Sequence, residues 1–197
     1  MTSVSRYHPV LVALHWSLAL LILGALALGA LVLAPIPNTS PMKVEALRSH
    51  MTGGGLILVL MLLRLVIRSS TIHPAPASAG HRWLDRLAAA SHRMFYVSVI
   101  AMASSGVIMA LQAGLPELVF TGHGQLPPDF WAFPIRTVHY LLSRLLMTLI
   151  ALHVVAALYH ALVLRDGLLG RMLFGRRLVG AGKADDAPRR TASKVRG

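Results

Sequence analysis

The feature that limits this chain most is a set of four long apolar stretches, over residues 10–34, 47–67, 92–111 and 138–164. Each approaches or exceeds the ~20 residues that a helix needs to cross ~30 Å of hydrocarbon. The remainder of the sequence cannot offset them in water, because only 13% of the residues are charged against about 25% in a soluble domain. A soluble enzyme, a disordered chain and a nucleic-acid-binding domain are therefore disfavoured. The expected fold class is all-α: an integral membrane protein whose short connections give an antiparallel four-helix bundle. Cysteine is absent, which excludes structural disulfides, thiolate zinc sites, iron–sulfur ligation and covalent c-type haem attachment. Ten histidines remain as the rich source of metal ligands.

Charge sets the expected orientation. The N-terminus, the connection over 64–93 and the segment from Arg165 onward hold 15 of the 19 Lys and Arg residues. By the positive-inside rule both termini are cytoplasmic, and the loops over 35–46 and 112–137 face the other side. The net charge of +12 then reads as topology and contact with anionic lipid rather than nucleic acid. The first stretch follows Arg6 in the manner of a secretory signal, but it is too long for a 7–15-residue apolar core and contains His15. Residues 1–178 are expected to form the transmembrane domain, and 179–197 a disordered, basic cytoplasmic tail. Pro74 and Pro76 break the inner connection, after which Trp83, Leu84 and Leu87 suggest a short interfacial helix.

Ionisable residues inside spans are costly, so each intramembrane histidine is a candidate site. His139 and His153 are 14 residues apart. That stride is nearly four turns, a displacement of only ~40° around the helix and ~21 Å along it. His160 continues the same stripe toward the cytoplasm. Depth supplies the partners: His50 opens the second span level with His139, and His15 lies at the depth of His153. Paired imidazoles from opposite helices, without cysteine or acid nearby, suit six-coordinate haem iron and hence electron transfer. The 14-residue stride recurs from His15 to Gly29, from His50 to Arg64 and from His92 to Gly106. Glycines at those levels, and Gly53, Gly54 and Gly55 beside His50, would let a flat macrocycle approach the backbone. Small-residue helix packing is the competing explanation for Gly29 and Gly106. Arg64 on the inner side, and Arg48, Arg136 and Arg144 on the outer side, are candidate propionate partners. Snorkelling to the interface is their alternative role. His8, His73, His81 and His123 fall in loops and are expected to be solvated.

The strings ALHW in the first span, SHMTGG opening the second, RLVIR closing it and VHYLLSRLLMTLIALHVVAALYH in the fourth resemble the bacterial four-helix cytochrome b561 family. The likeness covers roughly residues 6–175, and the H-x13-H-x6-H pattern with the earlier His-Trp is its most specific part. The resemblance implies a bacterial inner-membrane protein with two b-type haems per chain that exchanges electrons with quinone. It assigns His15 and His153 to the inner haem and His50 and His139 to the outer. His92 and His160 match family histidines associated with a quinone-binding region. Some members are superoxide oxidases that pass electrons from superoxide to ubiquinone, which makes superoxide:ubiquinone oxidoreduction the leading expectation. An electron-relay subunit serving a dehydrogenase or hydrogenase, with a protein as donor, is the alternative. A His-lined transporter or binder of divalent metal is a third, disfavoured by the lack of Asp or Glu within the four stretches. Tyr140 departs from the family pattern, since a member carries Glu after the corresponding histidine.

Overall fold

The computed structural model describes residues 2–76 and 81–181. Among them, four helices are long and apolar enough to cross a membrane. The first, α1, spans Pro9–Ala27 and runs on through a π-helical turn, Leu28–Leu33. Next come α2 over Pro41–Ser70 and α3 over Arg82–Gln112. A short α4, Leu115–Thr121, lies in the outer loop. The last spanning helix, α5, covers Pro134–Tyr159 and ends in a π turn over His160–Leu164.

Local chemistry explains where the helices start and stop. Proline sits in the first turn of α1, α2 and α5, where its missing N–H costs no hydrogen bond. The His8 ring accepts the Val10 N–H at 3.3 Å and caps α1. At the other end of that helix, the buried Lys43 ammonium donates to the carbonyls of Leu33 at 2.6 Å and Ile36 at 2.8 Å. It thereby satisfies carbonyls that a helix end leaves without partners. Gly114 and Gly122 adopt φ of 63° and 81° on either side of α4, a left-handed geometry that turns the chain sharply without steric cost.

Two apolar clusters fill the bundle. Leu18, Ile57, Met61, Val99 and Leu146 form the central one. Leu33, Leu47, Ala110, Leu115 and Val119 form another, under α4. Large apolar side chains elsewhere, such as Leu20 and Leu31, are more than 70% exposed, as expected of surfaces that face lipid. The expected interfacial helix around Trp83 is not separate: it is the first two turns of α3, because no breaker follows Gly80 before the apolar stretch begins.

The chain ends meet. Strand β1, Thr2–Val4, pairs antiparallel with β2, Val179–Ala181, with Ser3 opposite Gly180. Residues 2–4, residues 179–181 and the 71–76 connection therefore lie on one face, together with Arg6, Arg171 and Arg177. Arg6 Nη1 donates to the carbonyls of Gly170 and Leu173, and Arg177 donates to those of Arg6 and Ile72. The expected start of a disordered tail at 179 is thus corrected: residues 179–181 are held by backbone pairing, while 182–197 lie outside the described residues.

Candidate cofactor site: two tiers of paired histidines

The helix α5 supplies one histidine to each tier, 14 residues apart. At the outer level, the rings of His50 and His139 have centroids 6.3 Å apart. At the inner level, His15 and His153 show the same 6.3 Å. Metal–imidazole bonds of about 2 Å on each side, plus about 1 Å from each ring nitrogen to its centroid, amount to about 6 Å. Each pair is therefore spaced to clasp one metal ion between two imidazoles. The helices pack in order: α5 on α3, α3 on α2, and α2 on α1. Close helix contacts of that kind are not what joins α5 to α1 or α2; there the facing imidazoles bridge the gap.

The outer pair opens on a cavity of about 220 Å³ whose walls are nearly all apolar, including Ile22, Leu26, Gly54, Gly55, Val107 and Phe120. A Cβ added at Gly53, Gly54 or Gly55 would meet nothing within 4 Å. Those glycines border open space, which suits a flat ring that must lie against backbone. Gly29 and Gly106 also lie at the outer level, but a different group occupies the space beside them. A Cβ on Gly29 would stand 3.4 Å from His50 Cε1, and one on Gly106 3.2 Å from His139 Cε1. What those two glycines admit, among the described residues, is the imidazole rings. The central cluster separates the tiers, with Leu146 seven residues from each α5 histidine.

The arginines divide. Arg64 is buried one turn from His15, its Nη1 donating to the Leu11 carbonyl at 2.6 Å. Arg136, one turn before His139 on α5, lies over the Trp131 ring at 4.6 Å. Arg48 is turned elsewhere: Nε donates to the Val119 carbonyl and Nη1 to Glu45 at 2.7 Å. Arg144 stacks on Tyr140 at 4.9 Å.

His92 adjoins the inner pair, its ring centroid 6.0 Å from that of His153, and its Nδ1 donates to the Ala88 carbonyl at 2.7 Å. His160 is farther along α5, where its Nδ1 donates to Asp166 Oδ2 at 2.6 Å. Asp166 was not a sequence candidate. Arg165, with φ of 50°, turns the chain back after the π turn and brings the carboxylate onto the ring. The second carboxylate oxygen accepts the Leu168 N–H. These hydrogen bonds, that from His160 foremost, hold the Asp166 carboxyl below its ordinary range. Trp16 packs beside His15 at 5.3 Å and donates to the Met172 carbonyl, which ties the C-terminal segment under the inner tier.

Of the loop histidines, His73 differs from expectation. It packs against Tyr7, its Nε2 is buried without a hydrogen-bond partner among the described residues, and burial together with the Arg68 charge pushes its ring below the usual histidine value.

A four-helix membrane bundle with stacked bis-imidazole tiers defines a class: membrane cytochromes of b type, which carry electrons. Residues 6–175 match the family described as prokaryotic cytochrome b561. The chain belongs to that family, and is a membrane electron-transfer protein whose family binds haem b. It is 26% identical over 176 residues to "Cytochrome b561 homolog 1" of Escherichia coli K12, covering 86% of this chain and 98% of the relative. It is 28% identical over 174 residues to "Probable superoxide oxidase CybB" of Yersinia pestis, covering 85% and 96%. "Cytochrome b561 homolog 2" of E. coli K12 is also 28% identical over 174 residues, covering 85% and 91%.

Proposed function

We propose that the chain holds two b-type haems, one on His50 and His139 and one on His15 and His153, and moves electrons from superoxide on the outer side to ubiquinone on the inner side. The observation that carries the reading is the equal 6.3 Å spacing of the two histidine pairs, drawn from three helices, α1, α2 and α5. Gly54 leaves room for the outer ring, and Arg64 and Arg136 are the cations best placed to meet propionates. Haem iron between two imidazoles supplies reversible one-electron exchange with no open position for oxygen. The inner-membrane location and the cytoplasmic placement of both termini belong to the same proposal, supported by the Lys and Arg bias.

The residues fit the charge balance. Two superoxide anions give up one electron each and leave as dioxygen; one ubiquinone takes both electrons and two protons. Arg136 attracts the anion toward the outer pair. On the inner side, His92 and His160 donate hydrogen bonds to the quinone oxygens, and His160 passes protons drawn through Asp166. The name of the Yersinia relative supports the donor assignment.

Oxidised and dithionite-reduced spectra of the detergent-purified protein, with haem quantification, test the cofactor count. Two haems per chain are expected, with one lost in His139→Ala and the other in His153→Ala. Ubiquinone reduction in a superoxide-generating system tests the reaction. A rate no higher than the uncatalysed control removes superoxide as donor and leaves the relay-subunit reading, which requires a partner dehydrogenase to co-purify.

A further inference from the structure

The two outer histidines are held differently. The Ser105 side chain on α3 is buried, at 4% exposure. Its hydroxyl lies 2.8 Å from the Met102 carbonyl and 3.0 Å from His139 Nδ1. A serine hydroxyl has one proton to give. The shorter contact gives that proton to the Met102 carbonyl, which leaves a hydroxyl lone pair facing His139 Nδ1; the Met102 carbonyl also lies within reach of that ring, and both acceptors favour a hydrogen on Nδ1. Gly106, the next residue, lacks the Cβ that would stand 3.2 Å from Cε1 of the same ring. Ser105 and Gly106 thus form a slot that fixes both the rotation and the tautomer of His139. His50 Nδ1, by contrast, meets no side-chain partner among the described residues, and its ring faces only the backbone carbonyl of Ala25.

We propose that Ser105 is the positioning residue of the outer tier: it holds His139 with Nε2 unprotonated and directed at the metal, and makes that imidazole a stronger electron donor than it is without the hydroxyl. An acceptor on the far nitrogen of a metal-bound imidazole raises ligand basicity and fixes ring orientation. Greater donation stabilises the oxidised metal, so Ser105 lowers the potential of the outer haem relative to one held without it. This inference rests on the two-haem reading, but its central statement concerns His139 alone.

The experiment compares the full-length protein with Ser105→Ala and Ser105→Thr, the latter restoring a hydroxyl. In Ser105→Ala, the midpoint potential of one of the two resolved haem components moves upward, and the affinity for one haem equivalent falls about tenfold or more. The other component stays fixed, and Ser105→Thr returns both readouts toward wild type. Equal shifts in both components, or none in either, overturn the proposal. Nitrogen-15 spectra of the haem-free protein give a readout independent of loading: Nδ1–H on His139 is expected in the wild type, with a mixture of tautomers in Ser105→Ala. A wild-type Nε2–H tautomer overturns the role of Ser105. Fewer than two haems in the wild type would instead defeat the two-tier reading, and the nitrogen spectra would still decide the serine.

Discussion

Gly106→Ala, set beside Gly29→Ala, separates a ligand slot from ordinary helix packing. Both glycines face an outer-tier imidazole, but at different clearances. The new Cβ at position 29 would lie 3.4 Å from His50 Cε1, and that at 106 would lie 3.2 Å from His139 Cε1 and 3.6 Å from Nδ1. Carbon atoms rest at about 3.5–4.0 Å, so the first methyl fits with little movement, whereas the second must push the ring by a few tenths of an ångström. His139 cannot yield freely, since Ser105 holds its Nδ1 at 3.0 Å. Overpacking of a filled site costs about 1–3 kcal/mol, which corresponds to a loss of roughly five- to 150-fold in affinity for the group the ring binds. The assay is haem retention against an apoprotein scavenger, read from the Soret band, with Tm in detergent as the control. Gly106→Ala should release one haem equivalent at least fivefold faster than wild type, while Gly29→Ala keeps both. Equal retention by the two variants would refute the argument that a backbone without Cβ on α3 positions His139.

Other expectations follow from individual contacts. Lys43→Met leaves the Leu33 and Ile36 carbonyls without their ammonium donor, and should cost about 1–3 kcal/mol, read as a lower Tm with unchanged haem spectra. Asp166→Asn should slow ubiquinone reduction about tenfold while leaving both haem components in place. The Asp166 carboxyl is held below its ordinary range, so the stabilising contact with His160 is fully present above about pH 4. It disappears as pH falls through the lowered value; a contact that instead breaks on raising pH from 4 to 6, monitored by the His160 ring nitrogens, contradicts this. Arg136→Gln should reduce the superoxide-dependent rate and flatten its dependence on ionic strength. Arg144→Gln, which removes a cation stacked on Tyr140, should change both far less.

The bundle could be read from sequence because lipid imposes long apolar runs, and a helix of regular rise converts residue spacing into depth. His15, His50, His139 and His153 were paired by depth, and the structure brings the same four rings together in two tiers. Spacing along one helix says nothing of what reaches across from another, and this is why the imidazoles beside Gly29 and Gly106 are seen only in the fold. The same limit applies to Arg48: its depth matched His50, yet its nitrogens turn to Glu45 and to Val119 in α4, a helix hidden in a loop that reads as aromatic and Pro-rich. Asp166 was missed because it lies beyond the apolar run, and only the left-handed turn at Arg165 returns it to His160. The pairing of 179–181 with 2–4 escaped notice for a related reason. Three residues with no alternating pattern carry no strand signal, and their partner stands at the opposite end of the chain.

That terminal ribbon has a consequence for biogenesis. Residues 2–4 leave the ribosome before the four spanning helices and 179–181 leave it after them, so β1 waits unpaired while all four are made. The underside of the inner tier, where Trp16 grips the Met172 carbonyl, is thus the last surface to close, which leaves that end of the bundle accessible to an incoming prosthetic group until the polypeptide is finished.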